Sequence, residues 1–211
     1  MKTPFSFADK QLAKLKQSIS AEFQNAANSL SFDELNVTTA KKQTVELYNR
    51  LRATSQKMLE SVSKQAYKAA FAEAGAAGDE AEWEAAFVAM VLMAYNPVTQ
   101  YVYNNEVRRK RERLTEAIIA ATNRATMRAA FNRAAKLWFA QAREYTDITV
   151  DDARWRAFED AGVQKVRYRA EHDERTCHEC REMDGAVYAI YERPDLPRHY
   201  HCRCWLEPVV E

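Results

Sequence analysis

The sequence predicts a mainly α-helical fold, in which a long-helix N-terminal body is followed by a small C-terminal α+β module. Glycine and proline are scarce, with 4 and 5 copies in 211 residues, and this favours long helices over a loop-rich or all-β fold. Apolar residues recur every three or four positions through most of the chain before residue 146, which is the period of a helix with one buried face. The pattern then changes to alternation, and all four cysteines lie in this last part.

The first three helices are predicted from apolar stripes and from the residues that interrupt them. Residues 7–30 carry Leu12, Leu15, Ile19 and Phe23 at helical spacing, and a second, long stripe runs over residues 36–74 until the glycines at 75 and 78. A third helix is predicted over residues 79–95. It begins with an aspartate cap and a glutamate three residues later, and it stops before Pro97 because the residue before proline avoids helical geometry.

The rest of the body is predicted as two more long helices and one short helix. The fourth helix is expected over residues 99–123 and the fifth from there to about residue 145, and the pattern leaves open whether they form one bent rod. A short helix over residues 151–160 is expected to end at Gly162.

The C-terminal module is predicted to be a small sheet. Residues 163–170 and 186–190 alternate at period two and indicate strands, residues 204–209 indicate a third, and Asp184-Gly185 is typical of a hairpin turn. We therefore divide the chain into a helical body, residues 1–146, and a cysteine-containing module, residues 147–211.

The cysteines and nearby histidines have the spacing of a zinc site. Cys177 and Cys180 are two residues apart, as in a knuckle that aims two thiolates at one ion, and His199, Cys202 and Cys204 follow about twenty residues later. These five donors exceed the four positions of a tetrahedral ion. Two sets remain open: Cys177, Cys180 and His199 with either Cys202 or Cys204, or all four cysteines.

A structural Zn²⁺ suits the module better than the alternatives that use the same residues. A core of about 50 residues is marginal without a covalent or metal link. The chain starts without an apolar signal segment, so we expect a reducing cytoplasm, which disfavours two disulfides. Free thiols and a catalytic zinc remain alternatives, but thiolate-rich sites are mostly closed, and a catalytic site needs an open position and a base.

Three segments of the module, in order, resemble a known family. They are residues 173–180 (DERTCHEC), residues 183–188 (MDGAVY) and residues 197–209 (PRHYHCRCWLEPV). Together they resemble the C-terminal module of the Mu F-like minor head proteins of phage head morphogenesis, with Tyr200 standing where that family usually has proline.

The resemblance implies a structural protein and not an enzyme. Proteins of this kind are virion components of the capsid interior and portal vertex, assembled in the host cytoplasm. The resemblance further implies association with the phage portal protein, the inner capsid and packaged double-stranded DNA.

A basic segment of the fourth predicted helix is the candidate contact for such partners. Residues 99–143 carry 10 Lys or Arg against 3 Glu, whereas residues 144–211 carry 10 basic and 16 acidic residues. The basic charge is densest at Arg108, Arg109, Lys110, Arg111 and Arg113. We expect this segment to contact phosphate or an acidic portal surface through charge, and a solvated helix face is the alternative.

Two other functions fit parts of the sequence. A zinc-containing nucleic-acid-binding protein is one, although the zinc module itself is net negative. A metal-dependent nuclease or hydrolase is the other, although the sequence has no phosphate-binding glycine loop and no HExxH motif. No run of 18 apolar residues occurs, so we expect no membrane partner.

Overall fold

The computed structural model describes residues 4–76, 97–174, 176–199 and 202–210 and confirms the predicted fold class. The long helices are α1 (Ser6–Ser29), α2 (Val37–Glu73), α3 (Pro97–Ile119) and α4 (Arg124–Asp160). The C-terminal part contains β1 (Lys165–Arg169), the short helix α5 (His178–Met183), β2 (Val187–Ala189), a 3₁₀ turn (Ile190–Glu192) and β3 (Trp205–Pro208). The helix predicted over residues 79–95 lies outside the described residues. No helix in the described ranges combines the length and apolarity needed to cross a membrane.

The chain forms two compact units, each assembled from segments distant in sequence. The first unit holds the described parts of residues 1–9, 59–93 and 144–211, and it contains the sheet. The second holds the described parts of residues 10–58 and 94–143, which are helical. The functional division into residues 1–146 and 147–211 stays a prediction.

Two of the long helices begin with the same type of reciprocal capping arrangement. At the start of α2, the Asn36 side chain accepts a hydrogen bond from the Thr39 N–H at 3.0 Å, and the Thr39 hydroxyl accepts from the Asn36 N–H at 3.1 Å. Asn123 and Thr126 repeat this arrangement at the start of α4, at 2.9 and 3.2 Å. The cap satisfies backbone N–H groups that have no partner inside the helix. Asn123 therefore begins α4, and α3 and α4 are separate helices.

The prediction of a separate short helix over residues 151–160 was wrong, because α4 runs without a break from residue 124 to residue 160. The misleading segment is Thr146 to Val150, whose β-branched residues lower helix propensity. Thr146 and Val150 are both fully buried in the first unit, so tertiary packing outweighs local propensity. The helix ends as predicted at Gly162, whose φ of +72° is a left-handed conformation that glycine adopts without strain.

The core of the second unit contains an aromatic cluster formed by α1, α2 and α4. Tyr48 on α2 contacts Phe23 on α1 and Trp138 on α4, with ring centroids 6.3 and 5.3 Å apart and edge-to-face geometry. The Trp138 indole N–H donates to the Ser55 hydroxyl at 3.1 Å, so its polar atom is satisfied inside the core. The buried hydroxyls of Thr44 and Thr115 are 2.8 Å apart and join α2 to α3.

The three strands of the first unit form an antiparallel sheet in the order β2-β1-β3. Val166 and Tyr168 alternate along the central strand and are completely buried, as is Leu206 opposite Tyr168. The Val209 N–H donates to the Lys165 carbonyl. In an antiparallel ladder, bonded and non-bonded pairs alternate, so the backbone polar groups of Leu206 and Pro208 face the free edge of β3.

Two of the outward backbone positions on the free edge of β3 are blocked. Pro208 has no N–H to offer there, and the Leu206 carbonyl accepts a hydrogen bond from the buried Arg154 guanidinium at 2.7 Å. Arg154, on α4, also pairs with Glu73 on α2 at 2.9 Å and lies over the Phe158 ring. One buried cation thus ties two helices to the sheet edge.

A second buried charged group lies nearby on α4. The Asp151 carboxylate is 6% exposed and lies 3.5 Å from the Arg193 guanidinium, which also stacks on the Trp155 ring at 4.9 Å. Burial is the largest influence on this carboxyl and raises its pKa to about 7, although Arg193 opposes the change.

The Asp184-Gly185 turn is present but does not join two strands as predicted. The Asp184 φ and ψ are −59° and 128°, and Gly185 has φ of +84°. The Ala186 N–H donates to the Met183 carbonyl at 3.0 Å. This is type II turn geometry, which needs positive φ at its third residue. It connects α5 to β2, and the cysteine knuckle therefore lies between the two paired strands.

Candidate metal centre

The five predicted donors come from two segments of the first unit that the fold brings together. Cys177 is the N-cap residue of α5, and its sulfur accepts a hydrogen bond from the Cys180 N–H at 3.4 Å. In the second segment, the Cys202 N–H donates to the His199 carbonyl at 3.0 Å, just before β3. The two segments bring their sulfur and imidazole donors close together.

The donor atoms form two overlapping groups that share Cys180. One group is Cys177, Cys180 and His199, and the other is Cys180, Cys202 and Cys204, with all donor atoms in each group within 4.8 Å of one another. His199 Nε2 lies 3.2 Å from Cys177 Sγ and 3.4 Å from Cys180 Sγ, and the sulfurs of Cys180 and Cys202 are 3.9 Å apart.

These distances fit the edges of a zinc tetrahedron. Bonds of about 2.3 Å to sulfur and about 2.0 Å to nitrogen place two sulfurs about 3.8 Å apart and a sulfur and a nitrogen about 3.5 Å apart. The pocket that the donors line has a volume of about 10 Å³, which is room for a single ion or water molecule. All four cysteines are free thiols, and a sulfur separation of 3.9 Å is nearly twice a disulfide bond length of about 2.0 Å.

Hydrogen bonding and burial shift the pKa values of these thiols in opposite directions. Hydrogen bonds from the Cys180 backbone and side chain lower the pKa of Cys177, and a hydrogen bond from Cys204 lowers that of Cys202 to about 5. Burial raises the pKa of Cys180, and sharing a proton with Cys202 raises that of Cys204. A divalent cation among these groups favours the thiolate of each ligand, because the charge that burial penalises is then balanced.

Tyr168 links the sheet to the cluster, and the sequence analysis did not single it out. Its hydroxyl donates to Cys180 Sγ at 3.3 Å, and its side chain is completely buried beneath the donors. Burial is the main cause that raises the pKa of this phenol, so it stays a neutral donor. Hydrogen bonds to coordinating sulfur orient the ligand. The only sequence feature that could have indicated Tyr168 was its place on the inward-facing side of a strand with period-two alternation.

An ion pair covers another side of the cluster. The Arg203 guanidinium lies between Cys202 and Cys204 in the chain, and its Nε is 2.9 Å from Glu171 Oε2. That contact is an ion pair and not an aligned hydrogen bond. Arg203 also approaches Asp9 near the start of α1 at 3.5 Å. Glu171, Arg203 and Asp173 line the pocket beside the sulfurs, and Glu171 is balanced there by the neighbouring Arg203 cation.

The remaining histidines of the described module lie away from the donors. His172 pairs with Asp184 at 2.8 Å, and Asp184 also accepts from the Ala170 N–H at 3.0 Å. Burial opposes ionisation of Asp184, but these two hydrogen bonds prevail and lower its pKa. His178 lies on the exposed side of α5, 3.4 Å from Glu182.

The basic segment lies on α3 in the second unit. Arg108, Arg109 and Arg113 are exposed, whereas Lys110 and Arg111 are half-buried. Part of the charge is balanced locally, because Arg109 and Lys110 both approach Glu106, at 3.5 and 3.8 Å.

The comparisons with known proteins found one family. A family model described as "Phage Mu protein F like protein" matches residues 101–207, which is half of the chain. The match includes both the basic segment of α3 and all five candidate metal donors. No curated protein and no solved structure matches the chain significantly.

Proposed function

Because the chain belongs to the phage Mu F-like protein family, we propose that it is a minor head protein with a structural role in phage head morphogenesis. The observation that carries the proposal is the extent of the family match, which spans α3, α4 and the cysteine cluster together. The protein would act by binding and not by catalysis. It would be assembled in the host cytoplasm and reside in the virion, in the capsid interior at the portal vertex.

We propose that the cluster holds one structural Zn²⁺. Cys180 belongs to both groups of donors, so we assign it as a ligand in every set and take three more from Cys177, His199, Cys202 and Cys204. The ion would fix the two loops against β1 and give the module a defined shape. Glu171, one of the two carboxylates that line the pocket, pairs with Arg203, which disfavours it as a general base.

We assign the exposed arginines of α3 to contact with the portal protein and the inner capsid, and with packaged double-stranded DNA. The support is charge and exposure: Arg108, Arg109 and Arg113 are exposed, and only Arg109 of the three approaches a carboxylate among the described residues. Contacts of this kind would be independent of base sequence and weakened by salt.

The test of this function is co-purification with the portal ring after co-expression in cells. The triple variant Arg108→Glu, Arg109→Glu, Arg113→Glu should lose retention on the portal ring. The matched control, Lys14→Glu, Lys41→Glu, Lys42→Glu, makes the same change of net charge at exposed positions of the same unit and should retain it. If the portal ring retains both variants equally, the exposed arginines of α3 do not form the portal contact.

Two further measurements separate this function from the alternatives. Mass spectrometry of purified virions should find the protein in filled heads at low copy number. Strong duplex DNA binding without any portal association would favour a nucleic-acid-binding protein. A cobalt-substituted sample with the absorption of an open, five-coordinate site would favour a metal hydrolase.

A further inference from the structure

The candidate metal centre has one donor more than a tetrahedral ion can use, and the contacts among the donors distinguish their roles. Cys177, Cys180 and His199 form one compact group. His199 Nε2 lies 3.2 Å from the Cys177 sulfur and 3.4 Å from the Cys180 sulfur. Both separations are close to the edge of about 3.5 Å that joins sulfur and nitrogen in a zinc tetrahedron. Cys202 and Cys204 therefore compete for the fourth position.

Cys202 is placed for coordination in the same way as Cys180. Each is the later member of a pair of donors three residues apart, and its backbone N–H bonds back to the earlier member. The Cys180 N–H donates to the Cys177 sulfur at 3.4 Å. The Cys202 N–H donates to the His199 carbonyl at 3.0 Å. The sulfurs of Cys180 and Cys202 are 3.9 Å apart, close to the value of about 3.8 Å for two sulfurs on one zinc ion.

The Cys202 sulfur is also the better prepared of the two to carry a negative charge. It takes backbone hydrogen bonds from Arg198 and Cys204, and a side-chain hydrogen bond from the Cys204 thiol. Hydrogen bonds to a charged sulfur stabilise it. Cys204 also has a hydrogen bond with the Tyr168 hydroxyl. The Cys204 thiol is therefore satisfied by its neighbours without a metal ion.

Charge argues against a set of four cysteines. Of the described residues that line the pocket, Glu171 and Asp173 are acidic and Arg203 is basic, so the surroundings already carry more acid than base. Zn²⁺ with four thiolates has a net charge of about −2, whereas with three thiolates and a neutral imidazole it has about −1. A further negative charge in a buried site is costly. His199 binds without adding charge and is the better fourth ligand.

We infer that Cys204 is not a ligand and that the ion is held by three thiolates and one imidazole, those of Cys177, Cys180, Cys202 and His199. The assignment rests on the zinc site proposed above and specifies its ligands. Cys180 and Cys202 are the two buried sulfurs of this set. Each receives a hydrogen bond from a buried side chain, Cys180 from Tyr168 and Cys202 from Cys204. Such bonds orient a ligand and support its charge.

The test uses the full chain loaded with a spin-active isotope of Cd²⁺, whose nucleus couples to protons of the residues that coordinate it. Proton–cadmium correlation spectra should show coupling to the β-protons of Cys177, Cys180 and Cys202 and to the ring of His199, and none to Cys204. Coupling to Cys204, or none to His199, would overturn the assignment. X-ray absorption of the zinc-loaded chain should find three sulfurs and one nitrogen, and four sulfurs would overturn it for zinc itself.

Cys202→Ser and Cys204→Ser form a matched pair, because each removes one buried thiol from the same segment. Cys204→Ser should keep one zinc ion per chain and all the cadmium couplings of the unaltered protein. Cys202→Ser should weaken zinc binding more than Cys204→Ser does, by about tenfold or more, since only Cys202 is a ligand. Equal weakening, or the reverse order, would contradict the assignment.

Failure of the zinc site and failure of the ligand assignment give different results. If the unaltered chain, purified without chelator, holds no zinc and does not retain added Cd²⁺, the proposed structural site is wrong and the assignment fails with it. If the chain binds one ion but shows other couplings, the structural site stands and only the assignment is wrong.

Discussion

Replacing Asp151 with asparagine should change how the stability of the protein depends on pH. Burial raises the pKa of this carboxyl from 3.8 to about 7 in the folded protein. A group whose pKa is higher in the folded state stabilises the fold when protonated. The stabilisation that protonated Asp151 gives to the fold is therefore complete below its unfolded-state pKa of about 4. It is lost as the pH rises through its folded-state pKa of about 7.

The size of the effect follows from the difference between the two pKa values. A separation of about three units corresponds to about 4 kcal/mol, at about 1.4 kcal/mol per unit. Asp151 is almost completely buried, so solvent screening does not reduce this figure much. Relative to Asp151→Asn, the unaltered protein should lose about 4 kcal/mol of unfolding free energy between about pH 4 and about pH 8. The asparagine variant keeps the size of the side chain and cannot ionise. Loss of the Arg193 contact changes its unfolding free energy by the same amount at every pH, and this constant difference does not affect the comparison of pH dependence.

The assay is urea unfolding of both proteins at several pH values, followed by circular dichroism and by tryptophan fluorescence. Trp155 stacks on the Arg193 guanidinium beside Asp151, so its fluorescence reports on this region of the first unit. Asp33→Asn, which removes an exposed carboxyl, controls for the loss of one acid. If the difference between the Asp151→Asn and unaltered proteins stays constant across this pH range, the reasoning from burial is wrong.

Three other predictions rest on different contacts. If the cluster holds the proposed zinc ion, Cys180→Ser should reduce the zinc content to a small fraction of one ion per chain and expose the C-terminal module to trypsin, while the helix content is kept. A full zinc content in this variant would show that Cys180 is not a ligand. Arg154→Met should lower the unfolding free energy by about 3 kcal/mol, since Glu73 and the Leu206 carbonyl lose their buried partner; an unchanged urea midpoint would contradict this. Thr115→Val should cost only about 1 kcal/mol, because Thr44 keeps its bond to the Ala40 carbonyl, and a loss several times larger would show that the hydroxyl pair matters more than its geometry indicates.

Much of the fold could be predicted because its signals are local. The apolar stripes of α1 and α2 and the alternation of the strands depend only on neighbouring residues. Val45 and Leu137 show the limit of this reasoning, since both are apolar members of periodic segments and both are exposed. Which face of a long helix is buried depends on the helices that pack against it, and the sequence pattern does not specify them.

The sequence analysis left open whether α3 and α4 form one bent rod, because the cap between them was not recognised. Asn123 and Thr126 have the spacing of a reciprocal cap, but threonine in place of the usual glutamate makes the motif hard to recognise. The error over residues 151–160 was to begin a separate helix there, whereas the preceding β-branched run stays helical with Thr146 and Val150 buried. Propensity differences of about 0.5 kcal/mol per residue are smaller than the stabilisation from burying such side chains.

The donors of the candidate metal centre could be predicted from their spacing in the sequence, whereas the residues that contact these donors could not. Cys177 and Cys180 form a local motif, and His199, Cys202 and Cys204 form another. Tyr168 and Glu171 contact the cluster only because β1 pairs with β3 in one register and the loop after β1 returns past Arg203. Contacts of that kind depend on tertiary structure and have no characteristic spacing in the chain.

The two outer strands differ in whether their outward backbone groups can pair with another strand, so the two edges of the sheet are not equivalent. Pro208 and the Arg154 guanidinium remove two of the backbone groups through which β3 would pair with a further strand, whereas no hydrogen bond to the outward backbone groups of Val187 and Ala189 is made by the part of the chain that the structure describes. Strand pairing with a second copy would therefore be easier at the β2 edge than at the β3 edge. Substituting proline at Val187 or Ala189 would remove an outward N–H from the β2 edge.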